Sequence, residues 1–213
     1  TIHNYQFRNE SLQDIPLAYF SKAGPFGQTF EAARARYPEM RVAVVGLGAG
    51  ALACYADGTG GFTFYEIDPL VEKIARDPSH FSYLSRCAPD APVVIGDARL
   101  AFAAERKQGA PKFDLIIIDA FSSDSIPAHL ITREALALYR DRLNDDGVIL
   151  FHTSNRYLDV NSVALRIAAG ANLGARVIRF NPESDGPSAK FVTTTTAVIV
   201  GRADVIEAMA AGR

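Results

Sequence analysis

Apolar runs and helical patterns alternate along most of the chain. The runs are short, rich in Val, Ile and Phe, and apolar on both faces, which is typical of strands in a parallel sheet that helices cover on both sides. Five of them are predicted as strands, at 41–47, 62–67, 92–97, 113–119 and 147–153. Helical patterns lie between strands at 68–77, 97–107 and 132–143. This order predicts a series of β-α units.

The C-terminal third departs from this alternation. A helix at 160–173 is followed by strands at 175–180 and 194–201, and a closing helix begins at Ala203. We therefore predict an α/β fold with a seven-stranded, doubly wound, mostly parallel sheet and an antiparallel C-terminal edge. Residues 1–30 are the least regular and are predicted to form an N-terminal flap or lid, which leaves 31–213 as the main domain.

Composition narrows the class of protein. With 213 residues, 48% of them hydrophobic, the chain can bury one sizeable core. The net charge is −2 and the 22 Lys and Arg residues are scattered, so we expect no nucleic-acid partner. No apolar run reaches the roughly 18 residues that span a bilayer, and no signal peptide precedes the first strand. Because the chain begins at Thr1, a longer parent chain is one expectation.

Cysteine and histidine usage points away from disulfide and metal chemistry. Cys54 and Cys87 are too few for a disulfide framework and lack metal-ligand spacing, so we predict that they are packing residues. The four histidines are dispersed, and we expect no metal site. A reducing cytoplasm suits this usage best.

A glycine-rich loop follows the first predicted strand. Gly46, Gly48 and Gly50 allow a tight turn and a close approach of backbone N–H groups to a ligand. Glu66 ends the second strand, where a carboxylate can accept hydrogen bonds from both hydroxyls of a ribose. The alternative is a turn that packs helix on strand, with Glu66 solvated.

Acidic residues also end the third and fourth strands, at Asp97 and Asp119. Gly46, Gly48 and Ala51 match the dinucleotide pattern, so an NAD-dependent oxidoreductase stays a weaker alternative. However, acids at three successive strand tips would repel a pyrophosphate and suit a nucleoside that carries a positive charge. The sequence therefore favours a cationic adenosyl ligand.

The stretch "DLIIIDAFSSDSIP" at 114–127 joins a buried strand to two carboxylates, Asp119 and Asp124. An ammonium is not a nucleophile at neutral pH, so it needs a carboxylate to position it and to receive a proton. Two acids on one short loop can also hold an attacking amine and a cationic donor by charge. The alternative is a capping loop in which Asp124 and the serines beside it bind backbone N–H groups.

Polar residues also follow the fifth strand. His152, Asn155, Arg156 and Tyr157 come where substrate lies in an open parallel sheet, outside the carboxyl ends of the strands. Arg156 suits the carboxylate of an amino-acid-like substrate. Alternatively, Asn155 and Arg156 cap the helix that begins near Asp159.

Four segments, "VVGLGAG", "YEIDP", "GDAR" and "DLIIIDAFSSDSIPAHLITREAL", together resemble the S-adenosylmethionine-dependent methyltransferase superfamily. Within it they are similar to the spermidine synthase (polyamine aminopropyltransferase) branch, of the kind often fused to membrane-transporter-like segments. The resemblance covers most of residues 2–157. It implies a Rossmann-like methyltransferase fold for the catalytic domain, with S-adenosylmethionine or its decarboxylated form as co-substrate and no metal.

The resemblance also implies roles for individual positions. Those implied to contact the nucleoside cofactor are Gln6, Gly46, Gly48, Gly50, Glu66, Asp97 and Ala98. Those on the substrate side are Tyr19 and Gln28, beside Asn155 and Arg156. Asp119 and Asp124 would hold the acceptor amine and take its proton as nitrogen attacks the carbon next to the sulfonium.

The chain departs from the family pattern in three ways. Ala49 stands where aminopropyltransferases carry a loop acid that pairs with the ammonium of the decarboxylated donor. The acid loop is longer than the family's shortest form, and the segment before Gly46 is too short for the full β-domain of spermidine synthases. These departures leave nucleoside binding intact but weaken the link to polyamine synthesis.

The sequence as a whole predicts a cytoplasmic, metal-independent transferase that moves an aminopropyl-type group to a small amine and releases methylthioadenosine. The alternatives are a small-molecule methyltransferase, an enzyme that cleaves or cyclises S-adenosylmethionine, and a nucleoside-sensing binding domain of a membrane protein. The expected partner is a small amine or amino-acid-like substrate. A membrane-embedded portion of a longer chain and a second copy of the chain stay open as further partners.

Overall fold

The computed structural model describes residues 5–211 apart from 59, 122–125, 156 and 183–189. Its strands are β1 (Arg41–Val45), β2 (Gly61–Glu66), β3 (Val93–Ile95), β4 (Phe113–Ile118), β5 (Leu143–His152), β6 (Gly174–Phe180) and β7 (Thr195–Gly201). Its α-helices are α1 (Pro25–Arg34), α2 (Pro69–Arg76), α3 (Tyr83–Cys87), α4 (Ala98–Lys107), α5 (Arg133–Arg142), α6 (Val160–Gly170) and α7 (Ala203–Ala211). Short 3-10 helices occupy Glu10–Leu12, Ala51–Tyr55 and Ala128–Leu130.

The strands form one sheet in the order β3-β2-β1-β4-β5-β7-β6. Strands β1 to β5 are parallel, and β7 runs antiparallel to both of its neighbours, β5 and β6. This arrangement confirms the predicted seven-stranded, mostly parallel sheet with an antiparallel C-terminal edge. Strand order reverses between β1 and β4, and a crevice forms at the carboxyl ends of the strands at such a switch point.

The central strands are buried on both faces. Val42 and Val44 of β1 belong to one hydrophobic core, whereas Ala43 and Val45 belong to the core on the opposite side of the sheet. Successive side chains of a strand point to opposite faces of the sheet. Because both faces are buried here, the residues on both faces must be apolar. That requirement explains the continuous apolar runs that predicted these strands.

Helix α1 was not predicted, because two glycines and a proline in "GPFGQTF" obscure its pattern. Pro25 begins the helix, where its missing N–H costs nothing. Phe26 and Phe30 are fully buried against the sheet. A Cβ at Gly27 would lie 2.0 Å from the Lys22 carbonyl oxygen, so the helix needs a glycine there to pack against the preceding turn. The predicted flap at 1–30 therefore contains the start of a packed helix.

Strand β5 is longer than predicted, since it begins at Leu143 rather than at residue 147. Its pairing with β4 shifts register between Phe113 and Leu115, which accommodates the polar residues before Gly147. Helix α3 was also absent from the prediction. None of the helices in the described part of the chain is both long and apolar enough to span a membrane.

Cys54 and Cys87 pack against the hydrophobic core, as predicted, but they are also linked to each other, which was not predicted. The two cysteines form a disulfide, with their Cα atoms 4.8 Å apart. Cys54 lies in the 3-10 helix after the glycine loop, and Cys87 ends α3. Composition alone could not reveal this pair, because the 33 residues that separate the cysteines in sequence give no spacing signal.

Candidate active site

A cavity of about 1050 Å³ opens at the carboxyl ends of the parallel strands. Each strand near the switch point contributes a residue at its tip or just beyond it, and the start of antiparallel β7 lies at the same edge. These residues are Gly46 after β1, Glu66 on β2, Asp97 after β3, Asp119 after β4, His152 on β5 and Thr196 on β7. The topology therefore brings together the acids that the sequence analysis singled out at successive strand tips.

Gly46 and Gly48 of the glycine loop line the cavity. Gly46 has a φ of +100°, and a Cβ there would lie 2.7 Å from the Asp119 carbonyl oxygen. Gly48 also has a positive φ, but a Cβ there would meet nothing within 4 Å. The loop therefore packs tightly against the segment after β4 and leaves open space above Gly48. Gly50 does not line the cavity and packs against Leu84 instead.

Glu66 lines the cavity and also holds the glycine loop. Only 9% of the residue is exposed, and its Oε2 accepts a hydrogen bond of 2.9 Å from the Leu47 N–H. Its Oε1 accepts a second one, of 3.1 Å, from the Asp68 N–H. A carboxylate has about four lone-pair sites, so acceptor capacity remains toward the cavity. The alternative of a solvated Glu66 does not fit this burial.

Asp97 combines a structural contact with a position in the cavity wall. Its Oδ1 accepts the Leu100 N–H at 3.0 Å and so caps α4, while its Oδ2 lies 3.3 Å from His129 Nε2. Ala98 and His129 line the cavity beside it. Ile67 lies in the same wall although 68% of it is exposed. No sequence pattern predicted a role for Ile67 or His129.

Asp119 is hydrogen-bonded to a histidine that the sequence located at this edge without a definite role. Asp119 Oδ1 lies 2.6 Å from His152 Nδ1, and His152 Nε2 lies 2.9 Å from Ser154 Oγ. The side chains of Asp119 and His152 are 11% and 4% exposed. His152 ends β5, and Ser154 follows it two positions later, close enough for the two side chains to form this hydrogen bond. That spacing is the signal that could have identified them together.

Aromatic side chains surround the His152 ring. The ring centroids of Tyr19, Phe26 and Phe121 lie 5.0, 5.3 and 4.8 Å from it. Tyr19 also lines the cavity, on the side predicted to receive substrate. Tyr19 of the N-terminal segment therefore contributes to the cavity wall beside β5, and Phe26 of α1 packs on the His152 ring outside the lining.

Hydroxyl and amide groups complete this end of the cavity. Asn155 lines it, but its Oδ1 also accepts the N–H groups of Tyr157 and Leu158, each at 2.8 Å. Asn155 therefore orders the turn before α6, but the residue that caps this helix is Asp159, not Asn155 as in the capping alternative. Three threonines that the sequence analysis missed also line this end, namely Thr193, Thr194 and Thr196.

Besides Gly50, two predicted site residues in the described part of the chain are not in the cavity wall. Gln6 donates to the Gln13 carbonyl oxygen at 2.6 Å, and its Oε1 accepts the Ser82 N–H at 3.0 Å. Gln28 donates to the Ala23 carbonyl oxygen at 2.9 Å. Both contacts order the N-terminal half of the chain. Asp124 and Arg156 lie outside the described residues.

The described part of the cavity wall is acidic. Its carboxylates are Glu66, Asp97 and Asp119, and its lining includes no Lys or Arg. In the same part of the chain, no group of three or more His, Cys, Asp and Glu side chains is arranged to hold a metal ion. This wall therefore favours a ligand with a positive charge and polar hydroxyls.

No protein-family model matches the chain. It is similar to the polyamine aminopropyltransferase of Vibrio vulnificus, with 34% identity over 138 residues, which are 61% of this chain and 44% of that protein. It is also similar to the N-terminal histidine N-methyltransferase of Emericella nidulans, with 33% identity over 58% of this chain and 21% of that protein. The chain spans less than half of the length of these curated relatives.

Solved structures share the fold. Human methyltransferase-like protein 13 in complex with SAH superposes with a TM-score of 0.60 at 18% identity, over 87% of this chain and 88% of that one. Spermidine synthase from Thermotoga maritima gives a TM-score of 0.55 at 21% identity, over 86% of this chain and 64% of that one. At these identities the likeness shows the fold alone. The chain has the Rossmann-like fold of S-adenosylmethionine-dependent methyltransferases.

Proposed function

We propose that the protein is a transferase that uses S-adenosylmethionine or its decarboxylated form and alkylates a small amine. In the favoured form of the reaction it transfers an aminopropyl-type group and releases methylthioadenosine. The observation that carries this proposal is the acidic cavity at the switch point of the sheet, with carboxylates at the tips of three neighbouring strands. A cationic donor and a cationic acceptor can both be held there by charge.

The nucleoside end of the proposed site is the wall between β2 and β3. Glu66 is fixed by two backbone N–H groups, so its remaining lone pairs are preorganised to accept from ribose hydroxyls. Ile67 and Ala98 offer apolar surface for the flat face of a base. Asp97 lies beside them as an acceptor for an exocyclic amino group.

The reacting end is the region between the glycine loop and Asp119. Because Gly46 packs directly against the Asp119 backbone, a ligand above the loop lies close to this carboxylate. Opposite charges attract each other more strongly inside a protein than in bulk water, because the effective dielectric constant is lower there. Asp119 is thus suited to stabilise a sulfonium or to hold an incoming ammonium, and the likeness to the Vibrio aminopropyltransferase supports this role.

Methyl transfer is the second candidate, and Ala49 favours it. Ala49 is buried within the glycine loop, with 6% of the residue exposed, and its methyl side chain offers no charge to the ammonium of a decarboxylated donor. The absence of a loop acid therefore weakens the binding of intact S-adenosylmethionine less than the binding of its decarboxylated form. The fungal N-methyltransferase among the relatives is compatible with this chemistry, which also alkylates nitrogen.

Product analysis distinguishes the two reactions. The protein is incubated with each donor, with and without putrescine, and methylthioadenosine and S-adenosylhomocysteine are measured by mass spectrometry. We expect putrescine-dependent methylthioadenosine, with Asp119→Asn strongly impaired and the exposed Glu39→Ala as the matched control. Release of S-adenosylhomocysteine favours methyl transfer. Turnover of neither donor with any amine contradicts the proposal.

Calorimetric titration of the protein with each of the two donors tests the role of Ala49. Because this position cannot neutralise an ammonium, we expect the two donors to bind with affinities within about a hundredfold of each other, or about 2.7 kcal/mol. A stronger preference for the decarboxylated donor would mean that another acid replaces the missing one.

A further inference from the structure

A chain of hydrogen bonds crosses the cavity wall from Asp119 to β7. It passes from Asp119 Oδ1 to His152 Nδ1 at 2.6 Å, and from His152 Nε2 to Ser154 Oγ at 2.9 Å. The Thr196 N–H donates to Ser154 Oγ at 2.9 Å, and the Thr196 carbonyl oxygen lies 3.3 Å from the same hydroxyl. Asp119, His152 and Ser154 all line the cavity. We call these three residues the relay.

The protonation states of the three groups determine which atom donates in each of these hydrogen bonds. An ionised carboxylate only accepts, so His152 Nδ1 carries the hydrogen that it donates to Asp119. In the neutral imidazole Nε2 is then an acceptor, and the Ser154 hydroxyl donates to it. If Nε2 gains a proton, it donates to Ser154 Oγ and the hydroxyl turns to the Thr196 carbonyl oxygen. The relay can therefore hold one extra proton without losing a hydrogen bond.

The surroundings of His152 suit this role. Tyr19, Phe26 and Phe121 pack around the ring and limit its contact with water. Among described residues in contact with the ring, Asp119 and Tyr19 are titratable and Ser154 is polar. Asp119 is the anion that would balance an imidazolium. Ser154 is the residue of the relay whose hydroxyl can contact an acceptor substrate in the cavity.

We propose that the relay is the base of the transfer reaction, with Ser154 as the group that meets the acceptor amine. This inference rests on the proposed function in one respect, namely that the acceptor is an amine. The bound ammonium gives a proton to Ser154 Oγ as the serine proton passes to His152 Nε2, which leaves a neutral amine and an imidazolium paired with Asp119. The amine nitrogen then bonds to the carbon next to sulfur, the carbon–sulfur bond breaks, and its electron pair stays on the departing neutral thioether.

The advantage of an imidazole over an isolated carboxylate as the proton acceptor follows from the pKa values of the free groups. Alkyl ammonium, imidazole and aspartic acid have unperturbed pKa values of about 10.4, 6.5 and 3.9. Proton transfer from the ammonium is thus unfavourable by a factor of about 10⁴ toward an imidazole and of about 10⁶ to 10⁷ toward a carboxylate. As a chemical group, an imidazole is therefore a better proton acceptor for an ammonium than a lone carboxylate.

A purely structural role gives a different expectation. Ser154 also ties the end of β5 to β7 through Thr196, so its loss could merely loosen the cavity. Such damage would slow the reaction equally with every acceptor and at every pH. Loss of a base harms only acceptors that arrive protonated, and it harms them less at high pH, where the free amine forms without help.

The test compares His152→Asn and Ser154→Ala with wild type and with His80→Asn. Asparagine keeps an N–H donor near Asp119 but accepts no proton, and His80 is an exposed histidine outside the cavity, with 58% of its side chain exposed. Turnover is measured with putrescine at pH 7 and at pH 10, and with an alkoxyamine, which is already unprotonated at pH 7. Circular dichroism verifies the fold of each variant.

We expect both relay variants to lose about 10² to 10⁴ in turnover with putrescine at pH 7, which is the usual contribution of a positioned base. The loss should shrink at pH 10 and fall below tenfold with the alkoxyamine, while His80→Asn stays near wild type. Equal losses under all conditions, or full activity of His152→Asn, overturn the relay. A large loss in Asp124→Asn alone assigns the base to Asp124 instead.

A second measurement does not depend on turnover. Nitrogen NMR of the imidazole at neutral pH should show His152 with its proton on Nδ1 and with Nε2 unprotonated, and the opposite tautomer overturns the relay. Absence of transfer to any amine by wild type refutes the proposed function and, with it, a relay that serves an amine. Normal transfer by both wild type and His152→Asn refutes the relay and leaves the proposed function intact.

Discussion

At the scale of single residues, Glu66 shows how one carboxylate can serve both fold and ligand. Its two oxygens hold the N–H groups of Leu47 and Asp68, which fixes the glycine loop against the tip of β2. The same carboxylate lines the cavity where a ribose is proposed to bind. The carboxylate that anchors the glycine loop is therefore also the one proposed to bind the ribose.

We expect Glu66→Ala to weaken binding of methylthioadenosine by at least about tenfold, or 1.4 kcal/mol, because two ribose hydrogen bonds are lost. It should also destabilise the fold by about 1–3 kcal/mol, since two backbone donors lose their partner. Calorimetry and thermal unfolding measure the two effects, with Glu39→Ala as the exposed control. Unchanged nucleoside affinity in a folded variant would remove Glu66 from the binding site.

At the scale of elements, the disulfide joins the two segments behind the glycine loop. Cys54 belongs to the 3-10 helix that continues the loop, and α3 ends at Cys87. Leu84 of α3 packs against Gly50, and the Tyr83 hydroxyl donates to the carbonyl oxygens of Tyr5 and Ile15. The disulfide and these contacts of α3 together link the glycine loop to the N-terminal segment. Disulfides persist in oxidising compartments, and a reducing compartment would leave this pair as thiols.

Reduction of this disulfide should destabilise the protein by about 3–4 kcal/mol, the loop-closure value for cysteines 33 residues apart. Urea unfolding of wild type with and without reductant measures this difference. The Cys54→Ala/Cys87→Ala double variant should match reduced wild type and be insensitive to reductant. If reductant also leaves wild type unchanged, the two thiols are not linked in solution.

At the scale of the whole molecule, the sequence predicted the sheet well and the site only in part. Apolar runs on both faces identify buried parallel strands, and acids at their ends meet because parallel strands end at one edge. Helix α1 was missed because Gly24 and Gly27 lower its helical signal, although Gly27 is required for packing. His152 acquires its partner only when β4 and β5 become neighbours, which no local pattern encodes.

The central claim is that the cavity holds a cationic adenosyl donor beside Asp119. Calorimetric titration of wild type and Asp119→Asn with S-adenosylmethionine, S-adenosylhomocysteine and NAD tests it most directly, because the first two ligands differ in the charge on sulfur. The substitution should weaken S-adenosylmethionine about tenfold more than S-adenosylhomocysteine, a selective loss of about 1.4 kcal/mol, and NAD should bind poorly to both proteins. Equal weakening of the charged and neutral ligands, or tight binding of NAD to wild type, would contradict the claim.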